Sequence, residues 1–404
     1  MMNVLWLSGN SAMYANQNSY NGGGWIYTLQ QHIQMSGDVQ LSMAFPWNVD
    51  FEESGKNCTY YGIKRHRFYL INKKSKENKI KNRLCYIINK VKPDIIHVWG
   101  TEEFLGLACE ITDIPVVIHL QGILGPIYNA WLPSGLSWLR LYFLSPKYIY
   151  IRSIYKYFIC REKIMMQKCS YFIGRTDWDK SISKFISPKS QYFYCSEMLR
   201  TEIYDSTEIW KYKKNRKSRI IISIISSGIY KGGDVILKVA KLLKKYSDTS
   251  YEWHVYGIST LKDFEKIAHI NSEEVNVIPK GIINAQQLVE KILDADIFAH
   301  FSYIENSSNA VCEAQLLGIP VIATDVGGMS SLINNNVNGV LVPSNDSYIM
   351  SSTINSIISD ENISMSLGHE GHKIALERHN PDTITNDLLL IYNSIINNKN
   401  RGVL

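Results

Sequence analysis

Two glutamates, Glu305 and Glu313, stand in the stretch ENSSNAVCEAQLLGIPVIATDVGG. A carboxylate accepts hydrogen bonds from two hydroxyl groups, which suits binding of a ribose or sugar diol. The residues between them predict a loop and then a helix that starts near Asn309, capped by Asn309 or a neighbouring serine. The free N–H groups and positive dipole end of such a helix are a natural site for a phosphate. On spacing alone, two solvated surface glutamates are the alternative.

A lysine and two glycine-containing turns could supply further contacts to an anion. Lys231 follows the predicted strand Ile220–Ile225 in SSGIYKGGDVIL. It could donate a charge-assisted hydrogen bond worth roughly 1.5–3 kcal/mol to a phosphate, or be a solvated turn lysine. Gly22–Gly24 precedes the first predicted helix but lacks the spacing of a dinucleotide site. Gly327–Gly328 would let the backbone approach a ligand closely.

Elements that could position these groups alternate along the chain. The predicted strands are Val4–Ser8, Val39–Phe45, Ile95–Trp99, Val116–Leu120, Tyr171–Gly174, Tyr192–Cys195, Ile220–Ile225, Trp253–Tyr256, Val275–Ile278, Ile297–Phe301, Val321–Thr324 and Val340–Val342. Helical spacing occurs in Trp25–Met35, Val235–Lys245, Ala285–Leu293 and Ala310–Leu317. This order predicts an α/β fold of parallel, doubly wound sheets with helices on both faces.

The length of 404 residues predicts two domains. We expect an N-terminal domain at 1–204, a polar and basic linker at 205–219 and a second domain at 220–381. A C-terminal helix and tail at 382–404 could pack on either domain. In such sheets the carboxyl ends of the strands border the ligand site, so a cleft between the domains is the expected binding place.

Composition excludes several classes of protein. The net charge of +6 is dispersed, which argues against a nucleic-acid partner. Seven cysteines without Cys-x-x-Cys spacing indicate reduced thiols and no zinc site. The N-terminal MMNVLWLSGN resembles a first strand more than a signal peptide. We therefore expect a cytoplasmic protein, or one bound peripherally to the inner face of the cytoplasmic membrane.

The segment 137–168 interleaves aromatic residues with arginine and lysine. Both kinds of side chain suit the headgroup region of a bilayer, so peripheral membrane contact is one interpretation. A core-facing helix pair with basic outer faces is the other. Nucleic-acid binding by aromatic stacking is weaker, because no known module accompanies the segment.

Several stretches together resemble family 4 glycosyltransferases. ENSSNAVCEAQLLGIPVIATDVGG resembles that family's signature of a Glu-x7-Glu pair, an apolar strand and a Gly-Gly turn. IYKGGDVIL resembles its Lys-Gly phosphate motif, KPDIIHVWG and IPVVIHLQGIL its N-domain strands, and GGG its opening loop. The matches follow the family's order over most of the chain. They are most similar to bacterial enzymes of capsule and surface-polysaccharide assembly.

The resemblance implies a GT-B fold, in which two Rossmann-like domains face a cleft. It implies a retaining, metal-independent hexosyltransferase without a cofactor, whose donor is a nucleotide diphosphate sugar and whose acceptor is a glycan or lipid-linked glycan. Glu313 would hold the ribose, Glu305 the donor sugar, and Lys231 the diphosphate leaving group. Gly23 and Gly24 would approach the diphosphate from the N-terminal domain. The remaining donor-binding positions would be Asn306, Ser307, Ser308, Asn309, Ala310 and Val311.

The chain departs from the family at two places. The usual arginine before the phosphate lysine is replaced by Ser226, and Arg175 could substitute for it as a phosphate contact. Many members carry His-Gly where this chain has Gln121–Gly122, so these two residues are candidates for acceptor or phosphate contact. His119, slightly earlier, is expected to be a strand residue.

Two alternatives come from other classes of protein. A metal-dependent transferase of the GT-A type would use an Asp-x-Asp pair, and Asp177/Asp179 or Asp294/Asp296 have that spacing. We expect the second pair to serve in capping and turns, and no metal at His369 and His372. A non-catalytic, two-domain sugar-binding protein would also have a cleft between α/β domains.

Overall fold

The computed structural model describes residues 1–14, 24–65, 70 and 72–400. Within these ranges the strands are β1 Met2–Ser8, β2 Val39–Trp47, β3 Phe51–Ser54, β4 Cys58–Lys64, β5 Ile95–Trp99, β6 Val116–His119, β7 Tyr171–Gly174, β8 Gln191–Tyr194, β9 Ser218–Ile224, β10 Ser250–Tyr256, β11 Val277–Gly281, β12 Ile297–His300, β13 Val321–Thr324 and β14 Val340–Val342. The helices are α1 Gly24–Ser36, α2 Lys73–Val91, α3 Leu124–Asn129, α4 Trp138–Leu144, α5 Lys147–Lys168, α6 Asp177–Ile186, α7 Thr201–Tyr204, α8 Gly233–Tyr246, α9 Lys262–Ala268, α10 Ala285–Asp294, α11 Asn309–Leu316, α12 Ser347–Ser359, α13 Glu361–Arg378 and α14 Pro381–Asn400.

The N-terminal sheet has the strand order β3-β4-β2-β1-β5-β6-β7-β8 among the described residues. Its pairs are parallel except for β3 and β4, which are antiparallel. The prediction of purely parallel sheets is wrong for this edge, because the short connection from β3 to β4 allows only a hairpin. The sequence prediction also missed both strands. The residues of β3 are exposed or intermediate, and β4 mixes buried residues with intermediate and exposed ones instead of forming a continuous apolar run.

The C-terminal sheet has the order β11-β10-β9-β12-β13-β14 across the part of the chain that is described. All of its pairs are parallel. This is the order of a doubly wound nucleotide-binding sheet, in which successive strands are added first on one side of the central pair β9 and β12 and then on the other. A crevice therefore forms beyond the carboxyl ends of β9 and β12, and the predicted α/β class is confirmed.

The last helix, α14, returns to the N-terminal domain. Tyr392 is fully buried there, and its hydroxyl accepts a hydrogen bond of 3.0 Å from Nε1 of Trp6 in β1. The same hydroxyl lies 2.5 Å from Nδ1 of His97 in β5. Burial lowers the pKa of His97 well below its usual value, so the neutral ring can accept from the hydroxyl. This polar cluster joins the two ends of the chain.

The predicted linker, 205–219, packs on the C-terminal sheet. Trp210 is buried and donates a 2.7 Å hydrogen bond to the carbonyl of Ala295. The carboxylate of Asp296 pairs with Arg219 at 2.9 Å and with Arg216 at 3.1 Å. Asp294 also pairs with Arg216, so Asp294 and Asp296 form ion pairs rather than the expected caps and turns. The reason is burial: the Asp296 side chain is 2% exposed and requires cationic partners.

Helices α4 and α5 make up the segment 137–168 and reach the C-terminal domain. The hydroxyl of Tyr148 donates to Oδ2 of Asp263 at 3.0 Å, and Lys147 pairs with the same oxygen at 2.5 Å. Trp131, just before these helices, packs on Tyr155 of α5 and on Tyr230. One face of the segment thus serves as a contact between the domains. None of the described helices is long and apolar enough to cross a bilayer.

We predict that Tyr392→Phe lowers the free energy of unfolding by about 1–3 kcal/mol, because Trp6 and His97 then lose a buried partner. Urea denaturation monitored by tryptophan fluorescence measures this change. Leu390→Ala on the exposed face of α14 is the control and should shift the free energy by no more than about 0.5 kcal/mol. Equal effects of the two substitutions would contradict the role of the polar cluster.

Candidate active site

A cavity of about 400 Å³ lies in the cleft between the domains, and we call it the main cavity. It opens beyond the carboxyl ends of β9, β10 and β12, where the sheet order places a ligand site. It brings together most of the predicted donor-binding positions with residues of the N-terminal domain. The lining residues are Gly24, Trp25, Arg200, Ile224, Ile225, Ser226, Lys231, Gly257, Ile282, His300, Glu305, Ser307, Ser308, Asn309, Ala310 and Glu313.

Not every predicted residue reaches the main cavity. Asn306 and Val311 do not line it, nor do Arg175, Gln121 and Gly122. Gly23 lies outside the described residues. The two glutamates do meet the same cavity, one from the loop before α11 and one from inside that helix.

Glu305 forms an ion pair with Lys231. Nζ of Lys231 donates to Oε2 of Glu305 at 2.7 Å, and both side chains are less than one-fifth exposed, at 19% and 14%. Gly232, next to Lys231, adopts a φ of +74°, and a Cβ there would overlap the carbonyl of Phe301. Glycine is therefore required for the turn that brings Lys231 beside the end of β12.

The carboxylate of Glu305 also meets His300 at the end of β12. Nε2 of His300 lies 3.1 Å from Oε2 of Glu305, and the hydroxyl of Ser302 lies 3.3 Å from the same oxygen. Burial alone would raise the pKa of Glu305, but the charge of Lys231 and the hydrogen bond from His300 hold it well below its usual value. Glu305 is therefore a carboxylate at neutral pH.

Glu313 forms a two-pronged ion pair with Arg200 of the N-terminal domain. Nε and Nη2 of Arg200 donate to the two oxygens of Glu313 at 2.7 and 2.6 Å. Gly24 makes room for this arginine, because a Cβ there would lie 2.8 Å from Cγ and Cδ of Arg200. Sequence reasoning missed Arg200. Its position just beyond the carboxyl end of β8, the edge that faces the cleft, was the available signal.

Helix α11 starts at Asn309, as predicted, and its N-cap is the neighbouring serine, Ser308. The side chain of Ser308 makes no hydrogen bond to the helix, and Asn309 lies inside the first turn. The first N–H groups of a helix have no partner within it. Because Ser308, Asn309 and Ala310 line the main cavity, the start of α11 presents a positive dipole end to it.

Arg175 does not take the place of the arginine replaced by Ser226. Its guanidinium forms a buried ion pair with Glu197, and Nη2 donates to Oε1 of Gln121 at 3.3 Å. Arg175 is only 5% exposed and is therefore committed to the interior of the N-terminal domain. Instead, Arg200 of the N-terminal domain lines the main cavity, together with Ser226.

Asn306 connects the Glu305 loop to the N-terminal domain. Its Nδ2 donates to Oδ2 of Asp179 at 3.0 Å and to the carbonyl of Gln121 at 3.2 Å. Its Oδ1 accepts a 2.6 Å hydrogen bond from Thr176. Asn306, Gln121 and Gly122 line a smaller cavity on the other side of Glu305. Asp179, considered above as a metal ligand, is thus occupied by hydrogen bonds between the domains.

Gly327 and Gly328 approach protein rather than a ligand. A Cβ on Gly327 would overlap the carbonyl of Glu305, and one on Gly328 would crowd Asn306 and Thr176. The N–H of Gly328 donates to the carbonyl of Glu305 at 2.9 Å. The glycine pair therefore supports the Glu305–Asn306 loop from behind, which corrects the expected direct role.

The remaining metal candidates have other partners. Nδ1 of His372 lies 2.5 Å from the carbonyl of Leu316, and Nδ1 of His369 lies 3.2 Å from Glu370. No group of three or more His, Cys, Asp or Glu residues within the described ranges is arranged to hold a metal ion. His119 is buried in β6, in agreement with its assignment as a strand residue.

Comparison with known protein families finds a match in the C-terminal part of the chain. Residues 205–374 match the sequence model of the family "Glycosyl transferases group 1". The chain therefore carries a domain of this glycosyltransferase family, which confirms the resemblance seen in its motifs.

Two curated relatives come from Staphylococcus aureus. A poly(ribitol-phosphate) alpha-N-acetylglucosaminyltransferase is 26% identical over 163 residues, which is 40% of this chain and 32% of the relative. The capsular polysaccharide biosynthesis glycosyltransferase CapM is 29% identical over 101 residues, 25% of this chain and 27% of the relative. The matched region thus spans a third or less of the length of either relative.

The fold is also similar to that of a solved protein along nearly its whole length. The HepE protein of Anabaena, solved in complex with UDP-glucose, aligns with 98% of this chain and 100% of its own at a TM-score of 0.66. The sequence identity is 15%, so this likeness concerns the fold alone. The predicted GT-B architecture is confirmed.

We predict that Lys231→Met destabilises the protein by on the order of 1–3 kcal/mol at pH 7, because Glu305 loses its cation. In the wild type the lowered pKa of Glu305 stabilises the folded state above the unfolded pKa of about 4.3, and this contribution fades as the pH falls. The gap between the two proteins should therefore be largest at neutral pH and shrink as the pH falls and Glu305 of the variant takes up a proton. Urea unfolding at several pH values measures it.

Lys241→Met, at an exposed position of α8, is the matched control and should leave stability nearly unchanged at every pH. A gap between wild type and Lys231→Met that stays constant down to pH 3.5 would mean that Lys231 does not set the pKa of Glu305.

Proposed function

We propose that this protein is a retaining glycosyltransferase of bacterial surface-polysaccharide biosynthesis. It moves a hexose or hexosamine from a nucleotide diphosphate sugar to a glycan acceptor that is lipid-linked. The observation that carries the proposal is the main cavity, where Lys231, the start of α11 and two carboxylates meet. The names of the two staphylococcal relatives and the UDP-glucose held by the structural relative support the substrate class.

The diphosphate of the donor would lie between Lys231 and the first turn of α11. The backbone N–H groups of Ser308 to Val311, at the start of α11, would donate hydrogen bonds to the diphosphate. The ammonium of Lys231 adds a full positive charge. Arg200 supplies a second cation from the N-terminal domain, beside Gly24. With these groups the protein itself can neutralise the diphosphate, so we propose transfer without a metal ion or a cofactor.

The ribose and the donor sugar would bind to the two glutamates. Arg200 donates one hydrogen bond to each oxygen of Glu313, and a carboxylate has about four acceptor sites, so two remain for a ribose diol. Glu305 is held ionised by Lys231 and His300 and can accept hydroxyl groups of the donor sugar. Ile224 and Ile282, with the backbone at Gly257, form an apolar part of the cavity for the nucleotide base.

In the reaction, the bond between the anomeric carbon and the diphosphate oxygen breaks, and an acceptor oxygen bonds to that carbon. The acceptor proton passes to the departing diphosphate. Retention means that the new bond forms on the face that the leaving group vacates. The transition state has oxocarbenium character, and placed charges on the leaving group stabilise it. Lys231 is the residue that we expect to contribute most.

We predict that the purified protein binds one member of a panel of UDP-, GDP-, dTDP- and CMP-sugars in the presence of EDTA and slowly hydrolyses it, releasing the α-sugar first. Ligand-observed NMR follows both events. Lys231→Ala and Glu313→Ala should each lower turnover by about 10²-fold or more, because each removes a group that contacts the donor.

Lys241→Ala, at an exposed position of α8, is the control for these variants and should retain wild-type turnover. Turnover that survives unchanged in Lys231→Ala and Glu313→Ala would disprove the site. Binding that requires a divalent cation would contradict the proposed transfer without a metal ion, and binding of a sugar without any turnover would favour a non-catalytic sugar-binding protein.

We further propose that the protein works at the cytoplasmic face of the membrane and contacts it through α4 and α5. The outer surface of these helices exposes large apolar side chains, namely Leu139, Phe143, Ile149 and Tyr150, at 63%, 84%, 52% and 45%. Arg140 and Lys156 are exposed on the same helices. Apolar groups flanked by cations suit an anionic bilayer surface.

We predict that the protein sediments with vesicles that contain an anionic phospholipid and less with neutral ones. The double substitution Leu139→Ser and Phe143→Ser should lower this partitioning at least about tenfold, because each buried Leu or Phe is worth roughly 1.5–3 kcal/mol. Phe185→Ser is the matched control, since Phe185 is as exposed, at 86%, but lies on α6. Equal losses in both proteins would contradict the assigned surface.

A further inference from the structure

The smaller cavity, on the opposite side of Glu305 from α11, has a volume of about 190 Å³. We call it the second cavity. Both domains line it, with Glu102, Gln121 and Trp178 from the N-terminal domain and Tyr230, Glu305 and Asn306 from the C-terminal domain. Pockets for drug-sized ligands measure roughly 300–1,000 Å³, so this one suits a single small ring. It shares Glu305 with the main cavity and therefore borders the proposed donor sugar.

Glu102 is placed in this cavity by local backbone geometry. It follows β5, after Gly100, whose φ is +88°. A Cβ at Gly100 would overlap Oε2 of Glu102, and one at Gly122 would lie 2.9 Å from Oε1. Two glycines from different loops thus leave the space that the carboxylate occupies.

The carboxylate of Glu102 has few partners. Only backbone N–H groups, those of Thr101, Glu102 and Gly122, act on it as hydrogen-bond donors, and no side chain of the described chain donates to it. The nearby Glu162 of α5 differs: its oxygens accept from Thr101 at 2.5 Å and from the N–H groups of Leu124 and Gly125. Glu162 is a satisfied structural carboxylate, whereas Glu102 keeps acceptor capacity for a ligand.

The charges around Glu102 are mostly negative. Glu162 faces it from α5, and Glu305 lines the opposite wall of the cavity. Tyr155 and Tyr230 are the other titratable groups that interact with it, and Lys231 lies beyond them, paired with Glu305. The pKa of Glu102 is raised to about 7, mainly by burial; the negative Glu162 contributes to the rise, and the backbone N–H groups oppose it.

We propose that Glu102 determines which acceptor is used: it accepts a hydrogen bond from a hydroxyl of an uncharged sugar ring held in the second cavity. This inference rests on the proposed function. Trp178 and Tyr230 provide aromatic surface for the apolar face of the ring, and Gln121 and Asn306 border it with amide groups. Because Glu305 is ionised and Glu102 becomes ionised as the pH rises, a ring that bears a carboxylate or phosphate is repelled.

The ionisation of Glu102 links acceptor binding to pH. The carboxylate form accepts the hydroxyl and the protonated form does so poorly, so affinity rises as the pH increases through about 7. The ionised fraction of such a group grows roughly tenfold between pH 6 and pH 8. The affinity for the acceptor should therefore increase by up to about tenfold between pH 6 and pH 8. The affinity for the nucleotide does not depend on Glu102 and is not expected to follow this change.

The test uses the full chain and small probes: methyl hexopyranosides and the matching methyl uronides, such as methyl glucoside and methyl glucuronide. Saturation-transfer NMR measures their affinity at pH 6, 7 and 8, with the nucleotide from the donor panel present and also without it. We expect at least one neutral glycoside to bind more tightly than its uronide, with affinity rising toward pH 8. In Glu102→Gln this affinity should fall about tenfold at pH 8, become independent of pH and approach that of the uronide.

Glu103→Gln is the matched control, because Glu103 is the neighbouring carboxylate and does not line the second cavity. It should behave as wild type, and unchanged nucleotide affinity in Glu102→Gln shows that the fold is intact. The proposal is overturned if no neutral glycoside binds, if uronides bind as well, or if Glu102→Gln keeps the affinity and its pH dependence. If no nucleotide binds to the protein, the proposed function is contradicted instead. The measurements of glycoside affinity without nucleotide then still test the role of Glu102.

Discussion

The hydrogen bonds of Asn306 hold the two domains together at the place where the two cavities meet. This side chain is 4% exposed, and each of its polar atoms bonds to the N-terminal domain, at Thr176, Asp179 and Gln121. A buried amide left without such partners would cost about 1–3 kcal/mol, so the Glu305–Asn306 loop is fixed in one position relative to both sheets. Everything proposed for Glu305 depends on that position.

Other parts of the molecule support the same loop from different sides. Gly327 and Gly328 lie close behind its backbone, and Lys231 meets Glu305 from the turn after β9. A second contact between the domains, from Tyr148 and Lys147 to Asp263, lies at the other end of the cleft. Two separated contacts resist rotation of one domain against the other, so opening of the cleft must break both.

Sequence reasoning predicted most of the fold because buried parallel strands appear as continuous apolar runs. Strands such as β5, β7 and β13 have the predicted bounds, and the start of α11 is as expected. Sequence reasoning failed for elements and side chains whose structure depends on residues far away along the chain. The edge strand β3 is largely exposed, its neighbour β4 mixes buried and partly exposed residues, and the partner of Arg175 lies in another loop.

The candidate site divides in the same way. The Lys231 turn, the glutamate pair and the helix start are local features, and each could be read from a few adjacent residues. Arg200 and Glu102 could not be, because their importance comes from Glu313, Gly24 and Gly122, which are far away in sequence. A single charged residue near a strand end has no local pattern that separates it from an ordinary surface residue.

The two cavities on either side of Glu305 differ in charge, so the donor can bind in the cleft in only one orientation. The main cavity contains Lys231, Arg200 and a helix start, which favour an anionic donor, whereas the second cavity contains Glu102, which disfavours one. A nucleotide diphosphate sugar bound in the opposite orientation would place its phosphates against carboxylates.

Helix α5 connects the second cavity to the proposed membrane surface. Its exposed Tyr150 is five residues from Tyr155, which is about 7.5 Å along the helix. Because Tyr155 borders Glu102 and Tyr230, an acceptor anchored in a bilayer on the outer side of α5 would reach the second cavity without crossing the donor site.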